Sequence, residues 1–234
     1  MKKIVLVLFL ACATKFYSQS THMFSKNPIL NLENFDKQRI YFGFFLGFNA
    51  FDFKIDYNQV PVKNIVISET TGFNVGLVAD LRLHEYINLR FEPGLYYTER
   101  NLRYSGFAKE VDALREVKST YIHFPLLLKF SSKRIGNVRP YLLGGVSTTL
   151  NLSSNSNAID DNLQQRFRVK PWTQNYELGF GIDFYLEYFK FSPSVRGVFG
   201  INDELIRDND PASPWTGNID GLRTRAILIN FTFH

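Results

Sequence analysis

Cysteine is almost absent from this chain of 234 residues, and the only example is Cys12. A single cysteine cannot form an intrachain disulfide. If the leader that contains it is removed, the remaining chain has no thiol at all. The sequence therefore excludes a disulfide-stapled fold, and in the processed chain it excludes catalysis by a thiolate.

Long apolar runs are also missing. The run from Ile4 to Ala13, which follows two lysines, is too short for the ~20 residues of a membrane helix. Basic residues before a short apolar core are typical of a secretory signal peptide, here residues 1-18 with cleavage expected after Ser18. Leu10-Ala11-Cys12 loosely resembles a lipoprotein cleavage site, which would leave Cys12 lipidated, and this alternative stays open.

A strong charge of one sign is lacking once the leader is discounted. The formal charge of the full chain is +5, and removal of Lys2, Lys3 and Lys15 lowers it to +2. A nearly neutral exported chain gives no reason to expect nucleic acid as a partner.

Aromatic residues are abundant instead, with 23 Phe and 12 Tyr, and these types favour strands and membrane interfaces. In residues 39–53, RIYFGFFLGFNAFDF, apolar side chains alternate with small, aromatic and polar ones. This period of two predicts a strand with one strongly apolar face. The apolar face holds side chains that we expect to contact lipid, namely Phe42, Phe44, Leu46 and Phe48.

The alternation recurs in seven further segments, near 72–83, 87–97, 121–130, 140–152, 172–186, 189–199 and 222–233. Connections after the first, third, fifth and seventh segments are long and polar, and the others are short. This layout is typical of outer-membrane barrels. The predicted fold is all-β, an eight-stranded antiparallel up-and-down transmembrane (outer-membrane) β-barrel over residues 39-234. An extended periplasmic lead segment, residues 19-38, is expected before it.

Three prolines fit this pattern poorly, because a closed barrel has no free edge to accommodate a missing backbone N–H. They are Pro93, Pro125 and Pro193. We expect a β-bulge at each of them, or strand limits that differ from those above.

Charged side chains occupy the faces opposite the apolar ones and are expected inside the barrel. They are Asp80, Arg82, Arg90, Glu92, Lys129, Glu177, Asp183, Arg196, and either Arg223 or Arg225. Eight strands enclose a lumen just wide enough for side chains. The prediction is therefore a structural network of paired charges, with an ion path or a binding site as the alternative.

No catalytic set emerges from the sequence. The four histidines, His22, His84, His123 and His234, are scattered without metal-ligand spacing, and no Ser-His-Asp set can be assembled. The expectation is a protein that is not an enzyme, with no catalytic residue, no cofactor and no metal ion.

Two segments, 121–130 (YIHFPLLLKF) and 139–146 (RPYLLGGV), resemble a widespread family of small outer-membrane barrels. The lead-in at 31–49, NLENFDKQRIYFGFFLGFN, more specifically resembles the PorT (SprT) proteins. That second resemblance extends over nearly the whole processed chain. It implies an accessory or assembly component of type IX protein secretion and gliding motility, with other secretion-machinery proteins as partners.

The combined expectation is a non-enzymatic barrel in the outer membrane of a Gram-negative bacterium, surrounded by outer-membrane lipid and with its N-terminus in the periplasm. The alternative is a general outer-membrane barrel for adhesion, envelope integrity or small-ligand binding. A soluble β-sandwich or a lipocalin-like binder is a third possibility.

Overall fold

Strands account for most of the computed structural model, which describes residues 29–59, 64–159 and 161–234. The predicted signal peptide, residues 1-18, and residues 19–28 of the lead segment lie outside the described residues. The strands are β1 (Ile40–Tyr57), β2 (Val66–Glu69), β3 (Thr71–His84), β4 (Ile87–Phe91), β5 (Gly94–Arg103), β6 (Leu114–Ser131), β7 (Val138–Asn151), β8 (Trp172–Tyr185), β9 (Lys190–Gly200) and β10 (Ile219–Phe233). One α-helical turn, Glu110–Ala113, and two 3-10 turns, Phe35–Lys37 and Asn162–Gln164, lie between or before them. No helix of the described ranges is long and apolar enough to cross a membrane.

The sheet closes on itself. β1 pairs antiparallel with β10 on one side and with β3 on the other. β4 and β5 share one position between β3 and β6, so the ring has eight positions: β1, β3, β4 with β5, β6, β7, β8, β9 and β10. The short β2 pairs with the far end of β5 and extends the wall at the long-loop end. The predicted eight-position antiparallel barrel is confirmed.

The alternation in β1 separates two environments. Phe42 is 73% exposed on the outer face, whereas Phe45 is completely buried in the lumen. Beyond Ala50 the outward positions of β1 become charged, and Asp52 pairs there with Arg225 of β10. This change from apolar to charged side chains marks the edge of the apolar band on the long-loop side.

Pro93 divides one position of the ring into two strands. β4 ends at Phe91 and β5 begins at Gly94. The register is the same on both sides of the break, because Phe91 lies opposite Leu126 and Gly94 lies opposite His123. The predicted bulge is therefore absent at Pro93, and the proline changes the strand limits instead.

The other two prolines lie inside continuous strands. Pro125 lies opposite Ser147 within β6, and Pro193 lies opposite Phe231 within β9, and neither pairing contains a register shift. The carbonyl of Pro125 still accepts a hydrogen bond from the N–H of Glu92. Neither position has a bulge, because the strand passes through each proline without a change of register. The other alternative, different strand limits, holds for β6, which begins at Leu114 and not near residue 121.

The long loops fold over the end of the lumen. The loops after β7 and β9 contribute four buried apolar side chains that pack on inward residues of the extended wall, including Phe53. They are Phe167, Val169, Leu205 and Trp215. The long connection expected between the segments near 87–97 and 121–130 is shorter than predicted, because β5 continues to Arg103 and β6 already begins at Leu114. The sequence pattern predicted long polar loops here, and in the structure these loops also contribute apolar side chains to a cap.

Candidate functional site in the barrel lumen

Charged side chains from several strands meet in the lumen. Seven of the nine charged positions expected there are buried, namely Asp80, Arg90, Glu92, Lys129, Glu177, Asp183 and Arg196. Six of them lie on the inward phase of their strands, and Glu92 keeps the same phase at the break between β4 and β5, so the barrel wall directs all seven to the same interior space. We call these seven residues the lumen network.

One branch of the lumen network begins on β3. Arg90 donates from Nε and Nη2 to the two carboxylate oxygens of Asp80, at 3.0 Å and 2.7 Å. Its Nη1 donates to Glu92 at 3.1 Å. A bidentate contact of this kind fixes the planar guanidinium in both position and orientation.

The same branch continues across the lumen. Arg196 on β9 donates from Nη1 to Glu92 at 2.7 Å. Its Nε lies 2.9 Å from Oε2 of Glu177 on β8, an ion-pair contact that is too bent for a hydrogen bond. The arginines thus alternate with carboxylates from β3 to β8.

A second branch links β6, β8 and β9. Lys129 donates from Nζ to both oxygens of Asp183, at 2.9 Å and 2.7 Å. Ser192 donates its hydroxyl to the same carboxylate at 2.6 Å. The lysine also lies 4.0 Å from the centre of the Tyr141 ring, which favours the cation further.

Arg82 does not join the network. It lies at the short-turn rim, where Nη1 donates to the backbone carbonyl of Lys37 at 3.3 Å. Arg223 and Arg225 lie on the outer face and pair with Asp56 and Asp52. The inward expectation for Arg82 fails because the lumen ends before this residue. For Arg223 and Arg225 it fails because they share the outward phase of Ile227 and Ile229 in the same strand.

Sequence reasoning missed several members of the interior, among them His123 and Lys190. His123 on β6 contacts Thr149 through Nδ1 and Glu177 through Nε2, both at 2.7 Å. Lys190 on β9 is fully buried and lies 4.2 Å from the centre of the Tyr41 ring. Both positions follow the inward alternation of their strands, so the same signal identifies them.

Within the lumen network and Lys190, the two signs of charge balance. Four carboxylates, of Asp80, Glu92, Glu177 and Asp183, face four cations, of Arg90, Lys129, Lys190 and Arg196. Over these eight side chains the formal charges sum to zero, so this set of buried charges is compensated within the barrel.

Thr149, His123 and Glu177 are arranged as a hydroxyl, a base and an orienting acid. This order is that of a nucleophile set. All three side chains are buried, however, and Asn175 donates to the threonine oxygen at 3.0 Å. A substrate carbonyl has no approach to this hydroxyl, so the arrangement serves the interior network. No group of three His, Cys, Asp or Glu side chains among the described residues is placed to hold a metal ion.

The lead segment closes the short-turn end of the lumen. Its described part is not extended as expected, because it forms a 3-10 turn at Phe35–Lys37. Tyr185 donates its hydroxyl to Asp36 at 2.6 Å, and Arg139 lies 3.3 Å from the same carboxylate. The side-chain amide of Asn31 donates to the carbonyl of Tyr185 at 3.0 Å. We call these contacts the lead-segment latch.

Comparison with known proteins gives one family match. The model of a family described as outer membrane protein beta-barrel domain matches residues 17–205. No curated protein matches the chain.

Several solved structures are similar to this chain. OprG from Pseudomonas aeruginosa shares 15% identity at a TM-score of 0.41, covering 82% of this chain and 92% of that chain. Ail, the attachment invasion locus protein of Yersinia pestis, shares 14% sequence identity at a TM-score of 0.35, and the match covers 82% of this chain and 96% of that chain. The outer membrane protein AlkL, solved in DMPC lipid bilayers, shares 12% sequence identity at a TM-score of 0.43, and the match covers 90% of this chain and 92% of that chain. At these scores the three structures add no argument of their own.

Proposed function

We propose that this chain, which belongs to the family of outer membrane protein β-barrel domains, acts as an accessory or assembly component of type IX protein secretion. Family membership supports the outer membrane as its location and lipid as its surroundings. The role in secretion and gliding motility is supported by the resemblance of residues 31–49 to the PorT (SprT) proteins.

The filled lumen is the observation that carries the proposal of an accessory role. The lumen network and Lys190 together balance four carboxylates against four cations, and all of these side chains are buried. An exported protein cannot pass through such an interior. Its work is therefore assigned to outer surfaces, where it would contact other secretion-machinery proteins.

The segment that carries the resemblance holds the lead-segment latch and the start of β1. Asn31 and Asp36 dock on Tyr185, and ten residues of β1 follow within the same segment. The proposed orientation places this end, with the N-terminus and the short turns, in the periplasm. Other translocon components would then meet the docked segment there.

The protein is proposed to be non-enzymatic. Its one arrangement of hydroxyl, base and acid in the described chain, around His123, is enclosed within the wall. The alternative is a general barrel for adhesion, envelope integrity or small-ligand binding. It has the same fold, so only an assay of the biological role distinguishes it from a secretion component.

Deletion of the gene tests the role, with comparison of the secreted proteome before and after deletion. The proposal expects that cargo bearing the type IX signal accumulates inside the cell and that the intact gene restores export. Unchanged export of this cargo would refute the role. Unchanged export together with lost adhesion or a leaky envelope would favour the alternative.

Complementation with latch variants sharpens the test. A gene carrying Asn31→Ala and Asp36→Ala should restore a folded barrel in the membrane but less export than the intact gene. Glu33→Ala is the matched control, since Glu33 lies in the same segment and makes no ion pair among the described residues. If the latch variant and the control variant support equal export, the lead-segment latch has no part in the proposed role.

A further inference from the structure

A groove lies at the short-turn rim, beside the lead segment. It has a volume of about 340 Å³ and is lined by Lys37, Arg39, Arg82, Leu83, His84 and Glu85. Neither the lumen network nor the contacts of the lead-segment latch include these residues.

The groove is electropositive. Three of its lining residues, Lys37, Arg39 and Arg82, are cations, and Glu85 is the only carboxylate among them. None of the three cations makes an ion pair with a carboxylate of the described residues. Lys37 donates from Nζ to Asn34, and Arg82 donates to the carbonyl of Lys37, so both are positioned without being neutralised.

The cations adjoin the end of the apolar band. Arg39 directly precedes Ile40, and Arg82 directly precedes Leu83, and these two apolar side chains are 51% and 55% exposed on the outer wall. The backbone N–H of Arg82 donates to the carbonyl of Arg39 at 2.9 Å, so the two arginines are neighbours on adjacent strands. An anionic group and an apolar chain can therefore be bound side by side.

We propose that this groove binds one anionic phospholipid, with its phosphate against Arg39 and Arg82 and its acyl chains along Ile40 and Leu83. Basic clusters at a membrane surface attract anionic lipid headgroups. An acidic peptide would pair with the cations, but it would not cover the exposed apolar side chain of Leu83 in the same groove. The inference needs the barrel in a membrane and is independent of the role in secretion.

The test titrates the purified full-length processed barrel in detergent with phosphatidylglycerol or with phosphatidylcholine of the same chains. Native mass spectrometry counts the lipid adducts. The intact protein should retain phosphatidylglycerol in preference to phosphatidylcholine. In R39Q/R82Q the affinity for phosphatidylglycerol should fall by about 25-fold, since each cation near the surface contributes roughly fivefold.

K109Q/R166Q is the matched control, because it removes two exposed cations from the opposite end of the barrel. It should bind as the intact protein does. An equal loss in both double variants would indicate general charge attraction and overturn the site, as would unchanged binding by R39Q/R82Q.

Two further arms identify the ligand. Leu83→Asn should weaken retention of the diacyl lipid, since it removes an apolar surface and leaves the three cations in place. Displacement of the lipid by excess inorganic phosphate alone, or by a hexaglutamate peptide, would overturn the assignment to a phospholipid. Heat-modifiable gel mobility confirms folding, and if the double variant does not fold, Lys37→Gln replaces it with an expected loss of about fivefold.

Discussion

Arg196 on β9 and Glu92, at the break between β4 and β5, are joined across the lumen by a hydrogen bond of 2.7 Å. Both side chains are buried. Pro93 interrupts strand pairing at this break, so the backbone next to Glu92 has fewer hydrogen bonds than an ordinary strand. The hydrogen bond between Arg196 and Glu92 therefore links the break between β4 and β5 to β9 on the other side of the lumen.

Arg196→Met should destabilise the barrel strongly. It leaves Glu92 and Glu177 buried with one cationic partner fewer, and loss of one partner of a buried pair costs about 3–5 kcal/mol. Denaturant unfolding of the barrel in lipid vesicles, followed by tryptophan fluorescence, measures the loss.

Arg103→Met is the control for this change. Arg103 pairs with Glu110 on the surface of the long-loop end, and exposed pairs contribute less than about 1 kcal/mol. Similar losses in the two variants would contradict the structural role of the lumen network.

Phe44→Arg should destabilise the membrane-inserted barrel by about 2–4 kcal/mol, because it places a charge near the middle of the apolar band. Phe44 is half exposed on the outer face and stacks on Phe233, with ring centroids 5.3 Å apart. Thr71→Arg, at the long-loop edge of the same face opposite Ala50, should cost about 1 kcal/mol or less. Equal stability of the two variants in vesicles would show that this face does not meet lipid.

The period of two in the sequence was sufficient to place side chains on the two faces of the wall. It puts Asp80 and Glu177 inward and Phe42 outward, and the structure has them buried and exposed accordingly. It does not determine which charges pair, because partners such as Glu92 and Arg196 come from strands that are distant in sequence. Those pairs depend on the tilt and stagger of the closed barrel.

Periodicity also fails at the ends of the barrel. Arg82 has the inward phase but lies at the rim, where there is no lumen left to enter. Phe167 and Trp215 lie in segments without alternation, so nothing local indicates that they pack together in the cap. The contacts of the lead-segment latch cannot be predicted from the local sequence either, because Asp36 and Tyr185 are 149 residues apart.

Tyr185→Phe should loosen the lead segment without unfolding the barrel. It removes the hydroxyl that donates to Asp36, a hydrogen bond to a charged group. The N–H of Asn31, which donates to Asn137 at 2.9 Å, should exchange with solvent about tenfold faster or more. Hydrogen exchange by mass spectrometry reports this difference.

Tyr188→Phe is the matched control, since Tyr188 lies in the neighbouring turn and is 84% exposed. It should leave the exchange of residues 29–38 unchanged. Equal acceleration in both variants, or in neither, would rule out Tyr185 as an anchor of the lead segment.

Glu204, in the cap, should make stability decrease as the pH rises. Burial raises the pKa of Glu204, although Arg100 and the two donors of Thr224 act in the opposite direction. The folded chain therefore binds more protons than the unfolded chain between the two pKa values, and stability is lost as the pH rises through that window. It is fully present only below the unfolded value, about 4.5.

Glu204→Gln has no proton to lose at this position, so its stability relative to the intact protein should increase as the pH rises above about 4.5. Unfolding midpoints at several pH values measure the trend. Glu69→Gln, which makes the same change at an exposed position, is the control. A constant difference between Glu204→Gln and the intact protein would show that Glu204 does not titrate differently on folding.

Thr149 should resist a fluorophosphonate, a reagent that labels hydroxyls activated by a neighbouring histidine. Its Oγ1 lies 2.7 Å from His123 Nδ1, which is the distance of a nucleophile and its base. The side chain is 5% exposed and also accepts a hydrogen bond from Asn175, so the reagent cannot reach the oxygen. Labelling of the intact barrel that disappears in Thr149→Val but persists in Thr148→Val would establish an accessible nucleophile and overturn the non-enzymatic proposal. Thr149→Val should instead lower only the unfolding midpoint, because it leaves His123 without its hydroxyl partner in the interior.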